Sequence, residues 1–218
     1  MVMLTRAEAG RRLALGLSSV VTEMPVVLAL SPGGIRVASE IARCFGAVLD
    51  VIPVRRLEVS GRLHSTFGAV ADSTTLIQSD RVTQLGLPDD YVSAMARLAH
   101  REIAVLASAW RGGAPPIELA GRTVVLADDG LSEAVAVTAA ARALRDLGAA
   151  HLVYAAPSAS RTLREAVGAA CDHCRLLYDE PVSVEAFVCE ADFSQTTRFD
   201  VRSMVRRSRP GFAAVVGP

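Results

Sequence analysis

The chain has 218 residues, 51% of them hydrophobic, and its 23 arginines, with no lysine and no asparagine, balance 23 acidic residues to a formal net charge of zero. That composition excludes a disordered chain, a generally basic nucleic-acid binder at a pI near 6.9, and any chemistry that needs a lysine. No stretch approaches about 18 uncharged apolar residues, so no helical membrane span is expected. The length suits one domain, or at most two small ones. With no internal repeat and no low-complexity linker, we read a single domain over 1–218.

Arg6, Arg11 and Arg12 precede the apolar stretch Leu13–Val21. Glu8, Ser18 and Ser19 interrupt any targeting pattern, and Leu13, Leu17, Val20 and Val21 fall at helical spacing, which predicts an amphipathic first helix. Val26–Leu30 reads as a strand, Ser31-Pro32-Gly33-Gly34 as a turn, Ile35–Phe45 as a helix closed by Gly46, and Val48–Val54 as the next strand. This is a βαβ unit and implies a parallel sheet. Residues 55–80 read as a loop followed by a β-hairpin, about Phe67–Ala71 and Thr75–Ile77.

A helix starts at Leu87-Pro88-Asp89-Asp90 and runs to about Trp110, where Arg111-Gly112-Gly113-Ala114-Pro115-Pro116 breaks it. Thr123–Ala127 is uniformly apolar, as a strand covered on both faces should be. It ends in Asp128-Asp129-Gly130. A helix to Leu147, a strand His151–Ala156, a helix Ser158–Ala170 and a short strand Arg175–Tyr178 follow. The expected fold is α/β, a doubly wound parallel sheet with an inserted hairpin.

In such sheets ligands sit beyond the carboxyl ends of the strands, near the switch point. Asp128 and Asp129 leave a buried strand there. Two carboxylates can accept hydrogen bonds from vicinal hydroxyls or hold a divalent cation. The helix behind them offers N–H groups to a phosphate, a combination that suits a ribose 5-phosphate. The same residues would also serve as a solvated turn with helix-capping acids. Ser31-Pro32-Gly33-Gly34 is either a second anion loop, its glycines letting backbone amides close on the ligand, or a tight strand-to-helix turn. Arg55 and Arg56 are either phosphate ligands or a solvated surface pair.

Several blocks, in order, resemble the type I phosphoribosyltransferases, and in particular a bacterial subfamily of phosphoribosyltransferase-domain proteins. They are Leu4–Ala14, Val26–Leu30 with Gly33-Gly34, Val54–Leu57, Phe67–Ala71, Gly121–Leu131, and Asp192-Phe193-Ser194-Gln195-Thr196. The resemblance implies a substrate, 5-phosphoribosyl 1-diphosphate with Mg²⁺, whose phosphoribosyl group passes to a nitrogen base, and a small C-terminal hood over the site. It gives Asp128 and Asp129 the ribose hydroxyls and the metal. The amides of Ser132, Glu133, Ala134, Val135 and Ala136 would cradle the 5-phosphate, with Gly130 and Leu131 leading into that loop as part of the binding site. Ser31, Pro32, Gly33 and Gly34 would contact the diphosphate, and Arg55 and Arg56 lie in the block Val54–Leu57 at a strand end where they could meet phosphate.

The chain departs from the resembled pattern in each of these places. Glu133 stands where a small hydroxylated residue is usual, Ala134 where Gly is, and Ala136 where Thr is. Losing the Thr hydroxyl removes a charge-assisted hydrogen bond worth roughly 1.5–3 kcal/mol. Like charges about 4 Å apart repel by roughly 4 kcal/mol at an effective dielectric of about 20. Ser31-Pro32 replaces a Pro-Arg pair, and Cys189-Glu190 replaces an aromatic pair. Two readings follow: a transferase with altered or impaired activity, or a non-catalytic protein of this fold that binds a nucleotide or RNA in a regulatory role.

The remaining signals are weaker. Cys44, Cys171, Cys174 and Cys189 are too few for a disulfide scaffold and point to a reducing, cytoplasmic setting. Cys171-Asp172-His173-Cys174 lacks a second ligand pair for zinc and reads as core cysteines beside a strand. His64 reads as an exposed loop histidine. Arg202–Arg209 reads as cations complementing a last helix rather than a nucleic-acid patch. Tyr91, Met95, Leu98, Ile103 and Leu106 share a helix face that fits either the core or a homodimer contact.

Overall fold

The computed structural model describes residues 4–178 and 196–209. Five strands form a parallel sheet: β1 (Val26–Ala29), β2 (Val48–Val51), β6 (Thr123–Ala127), β7 (His151–Ala156) and β8 (His173–Leu176), in the order β2-β1-β6-β7-β8. The chain moves outward from β1 to β2, returns to β6 on the other side of β1, then moves outward to β7 and β8. The switch point therefore lies between β1 and β6.

Alternation explains why the inner strands β1, β6 and β7 are almost entirely apolar. Val26, Leu28, Val124, Leu126, Leu152 and Tyr154 pack on one face with α5 (Ala134–Asp146) and α6 (Arg161–Ala170). Val27, Ala29, Val125, Ala127, Val153 and Ala155 pack on the other with α1 (Arg6–Leu17), α2 (Gly34–Phe45) and Val201 and Val205 of α7 (Arg198–Ser208). Both faces are covered, so neither set of positions tolerates polarity. Gly10 lets α1 close on α2, because a Cβ there would stand 2.6 Å from the Val37 carbonyl oxygen.

Between β2 and β6 lies an antiparallel sheet of β3 (Val54–Glu58), β4 (Thr66–Ala71) and β5 (Thr74–Ile77), with α3 (Ser79–Leu85) and α4 (Asp89–Arg111). The sequence pattern joins β2 to the start of β3 and gives residues 55–58 to a loop, and the structure corrects both. Pro53 separates the strands, since it cannot donate to a ladder, and β3 turns away to pair with β4. The helix α3 has no counterpart in the sequence reading, as seven residues are too few for a clear period.

Ile103 is buried in α4, Tyr91 and Met95 pack onto Phe67 and Val70, and Leu106 packs against the α1–α2 core, while Leu98 is exposed. Most of the face considered for a homodimer thus meets the molecule's own core. Cys44 is exposed, and so is Cys174, against the reading of core cysteines; of the described cysteines only Cys171 is partly buried, because β8 lies at the sheet edge. At Cys171 burial pushes the thiol up to about 12, which makes it inert. No helix among the described residues is long and apolar enough to cross a membrane.

Candidate functional site

The loops after β1 and β6 lie side by side because their strands are paired, Ala29 opposite Ala127. Leu30 extends the pairing by donating to the Ala127 carbonyl, and Asp128 donates to that of Ala155. Beyond this point both chains turn away, and the two loops face each other across the switch point.

Asp128 is fully buried and accepts four hydrogen bonds. Ser31 Oγ (3.3 Å) and Ser132 Oγ (2.9 Å) donate to Oδ1, and Tyr154 OH (3.1 Å) and the Gly130 amide (3.2 Å) donate to Oδ2. It thereby ties both loops to β7. All four donors are neutral. Burial, and then the charge of Asp129, push its carboxyl up to about 6. Burial and the Asp128 charge also push the Tyr154 phenol well up, so it remains a donor.

Asp129 points the other way. Its Oδ2 accepts from Nε and Nη2 of Arg6 at 3.2 and 3.1 Å, and its Oδ1 accepts from the Leu131 amide at 3.3 Å. The carboxylate is 8% exposed and the Arg6 side chain 26%. Room for this pair comes from Gly33, where a Cβ would stand 1.9 Å from Asp129 Oδ2. Gly34 is confined by the Ala127 carbonyl and Asp128, at 3.0 and 3.1 Å from a notional Cβ, and its amide donates to Ser31 Oγ at 3.0 Å. Pro32 stands between Ser31 and these glycines. Gly130 has a positive φ of 85° and would place a Cβ 2.6 Å from the Ser158 carbonyl, so both its conformation and its space require glycine.

Residues 130–136 end in the first turn of α5. Glu133 is the N-cap but makes no side-chain cap bond. Instead it pairs with Arg56, which also lies 3.5 Å from Glu58. The Ala136 amide is already bonded to the Glu133 carbonyl. The N–H groups of Ala134 and Val135 sit at the open end of the helix, where an anion is favoured. Arg55, on the other face of β3, pairs at 2.7 Å with Glu102 of α4 and turns away from the loop. The fold therefore brings 31–34, 128–136 and Arg56 together and sends Arg55 elsewhere.

Arg6 and Tyr154 are not singled out by the sequence. Tyr154 carries a faint signal, a hydroxyl in an otherwise apolar strand. Nothing local distinguishes Arg6 from the other arginines of its helix. From the closing motif only Thr196 is described, with Arg36 Nε donating to its Oγ1 at 3.4 Å; Cys189, Glu190 and 192–195 lie outside the described residues. Away from the switch point, a cavity of about 390 Å³ opens between β2, α4 and residues 116–119, with Asp50 and Arg111 in its wall. Its lining is mostly apolar and touches neither loop, so we place no reaction there.

Among the described residues no three His, Cys, Asp or Glu side chains gather into a metal site. With Asp128 saturated by internal donors and Asp129 held by Arg6, the donor set does not fit a resident Mg²⁺, which takes near-ideal octahedral oxygen ligation.

The chain is thus a doubly wound α/β protein with two glycine-bearing loops and an acidic pair at its switch point, the place where sheets of this kind take their ligands. Comparison with known proteins narrows that class. Two Mycobacterium tuberculosis proteins, from strains CDC 1551 / Oshkosh and ATCC 25618 / H37Rv, each named "Putative phosphoribosyl transferase", are 35% identical over 153 residues, 70% of this chain. The match spans only 34% of their own length. A solved structure, TT1426 from Thermus thermophilus, superposes with a TM-score of 0.76 at 29% identity, covering 94% of this chain and 98% of that one. No protein-family model matches. Over most of its length the chain is therefore similar to proteins named as phosphoribosyl transferases.

Proposed function

We propose that the chain binds 5-phosphoribosyl 1-diphosphate across the switch point and transfers its phosphoribosyl group to a nitrogen nucleophile. The observation that carries this reading is the meeting of two loops at the switch point, the α5 loop with the Ala134 and Val135 amides at its open helix end and the 31–34 loop with Gly33 allowing close approach, and Asp129 between them. The 5-phosphate rests on the Ala134 and Val135 amides, assisted by Arg56. The diphosphate lies along Ser31–Gly34. Asp129 accepts from the ribose hydroxyls and stabilises the positive charge that develops on the sugar as diphosphate departs. Asp128 acts one layer deeper, holding both loops and Asp129 in place. Magnesium belongs to the substrate in this account, arriving and leaving with the diphosphate.

Glu133 argues for weaker phosphate binding than an uncharged loop would give, but its pairing with Arg56 offsets much of the repulsion expected from sequence alone. Titration calorimetry tests the reading. Heat of binding at micromolar 5-phosphoribosyl 1-diphosphate with Mg²⁺ supports it, and none up to millimolar overturns it. A second reading, binding of a nucleotide without turnover, is favoured by one observation: Asp128 is fully enclosed and presents no oxygen to a ligand. Pyrophosphate release in the presence of candidate bases separates the two.

A further inference from the structure

The 31–34 loop carries no cationic side chain, yet a guanidinium stands beside it. Arg6 comes from the first turn of α1, and the close packing of α1 on α2 at Gly10 delivers it there. Its Nε lies 3.4 Å from the place a Cβ on Gly33 would occupy, and both Nε and Nη2 donate to Asp129 Oδ2. We propose that Arg6 is the cation of the diphosphate subsite, parked on Asp129 until the anion arrives. The inference rests on the functional reading above and assigns a residue that reading leaves out.

The logic is an exchange of ion partners. A diphosphate concentrates more negative charge than one carboxylate, and a guanidinium suits the planar, two-point recognition of phosphate oxygens. As diphosphate settles along Ser31–Gly34, Arg6 turns its N–H groups from Asp129 Oδ2 to the phosphate oxygens. The same movement releases Asp129 to accept from the ribose hydroxyls. Diphosphate capture and sugar capture are thereby coupled through one side chain. Arg56 on Glu133 forms a parallel arrangement at the opposite end of the site.

The ligands separate this role from a structural one. In Arg6→Gln, Mg²⁺–pyrophosphate and Mg²⁺–5-phosphoribosyl 1-diphosphate should bind roughly 10- to 100-fold more weakly, the loss of a charge-assisted bond. Ribose 5-phosphate, which has no diphosphate, should bind the same variant unchanged or tighter, because Asp129 is freed. Arg6→Lys, which keeps the charge, should recover much of the loss. Comparing ligands within one variant controls for any change in folding. If all three ligands weaken together, or if Arg6→Gln binds diphosphates as the unaltered chain does, the assignment to Arg6 is wrong while the functional reading stands. If the unaltered chain binds neither diphosphate ligand, both fail.

Discussion

Two aspartates lie buried in the parallel sheet region, and they are treated differently. Asp50 of β2 is met by charge: Arg111 Nε stands 2.9 Å from Oδ1 and 3.2 Å from Oδ2, and Arg209 Nη2 lies 3.5 Å from Oδ2. Asp128, beyond β6, is met by two serines, a tyrosine and a backbone amide, with a second carboxylate next to it. Where the chain needs only to hold β2, α4 and the segment at Ile117 together, it compensates a buried charge with an opposite one. At the switch point it leaves the charge uncompensated and accepts lower stability. Uncompensated carboxylates of this kind gather at functional sites.

The difference can be broken most severely at Asp50. Arg111→Met should destabilise the fold by roughly 3–5 kcal/mol in urea unfolding, because it leaves a buried carboxylate with only the longer Arg209 contact and two backbone amides. A loss below about 1 kcal/mol, the worth of an exposed pair, would show that Asp50 is not held by charge.

Asp128 sharpens the contrast through pH. Its folded-state pKa, about 6, lies above the unfolded value near 4, so the folded chain binds the proton more tightly. The extra stability is fully present below about pH 4 and is lost as pH rises through 6, amounting to about 3 kcal/mol. The difference in unfolding free energy between the unaltered chain and Asp128→Asn should fall by that amount from pH 4 to 7. A flat difference would mean that the neutral donors suffice.

Packing at the site gives a third test. Gly33→Ala places a methyl group where Asp129 Oδ2 lies, and should cost roughly 1–3 kcal/mol and disrupt the Arg6–Asp129 pair. Unchanged thermal stability and unchanged ligand affinity would show that the loop yields freely. Glu133→Thr should tighten ribose 5-phosphate binding by about tenfold, since it removes a repulsive charge and releases Arg56. An unmoved dissociation constant would remove Glu133 from the account. The smallest effect belongs to Arg55→Ala, which loses a largely exposed pair with Glu102 and should change stability by less than about 0.5 kcal/mol and ligand affinity not at all.

Much of the frame is legible in the chain. The apolar runs Thr123–Ala127 and His151–Ala156 match β6 and β7 residue for residue, because a strand covered on both faces has sharp polar ends. The same logic places Asp128 and Asp129 at a strand's carboxyl end and Gly33-Gly34 in the neighbouring turn. β3 is hidden because its burial follows α4 and a register irregularity between Leu57 and Glu58, so its sequence shows no clean alternation. The opposite facing of the two acids is hidden as well. It depends on Tyr154, 26 residues away, and Arg6, 123 residues away, and no local pattern encodes such pairings. Arg55 and Arg56 look equivalent in sequence, and only the alternation of that hidden strand sends one to α4 and the other to the loop.

A crystal structure of the chain with 5-phosphoribosyl 1-diphosphate and Mg²⁺ decides whether a phosphorylated sugar rests between the two loops. The 5-phosphate should lie within hydrogen-bond distance of the Ala134 and Val135 amides, the ribose hydroxyls on Asp129, and Arg6 turned to the diphosphate. Ligand density elsewhere, with Arg6 still on Asp129 and the α5 amides unvisited, would contradict it.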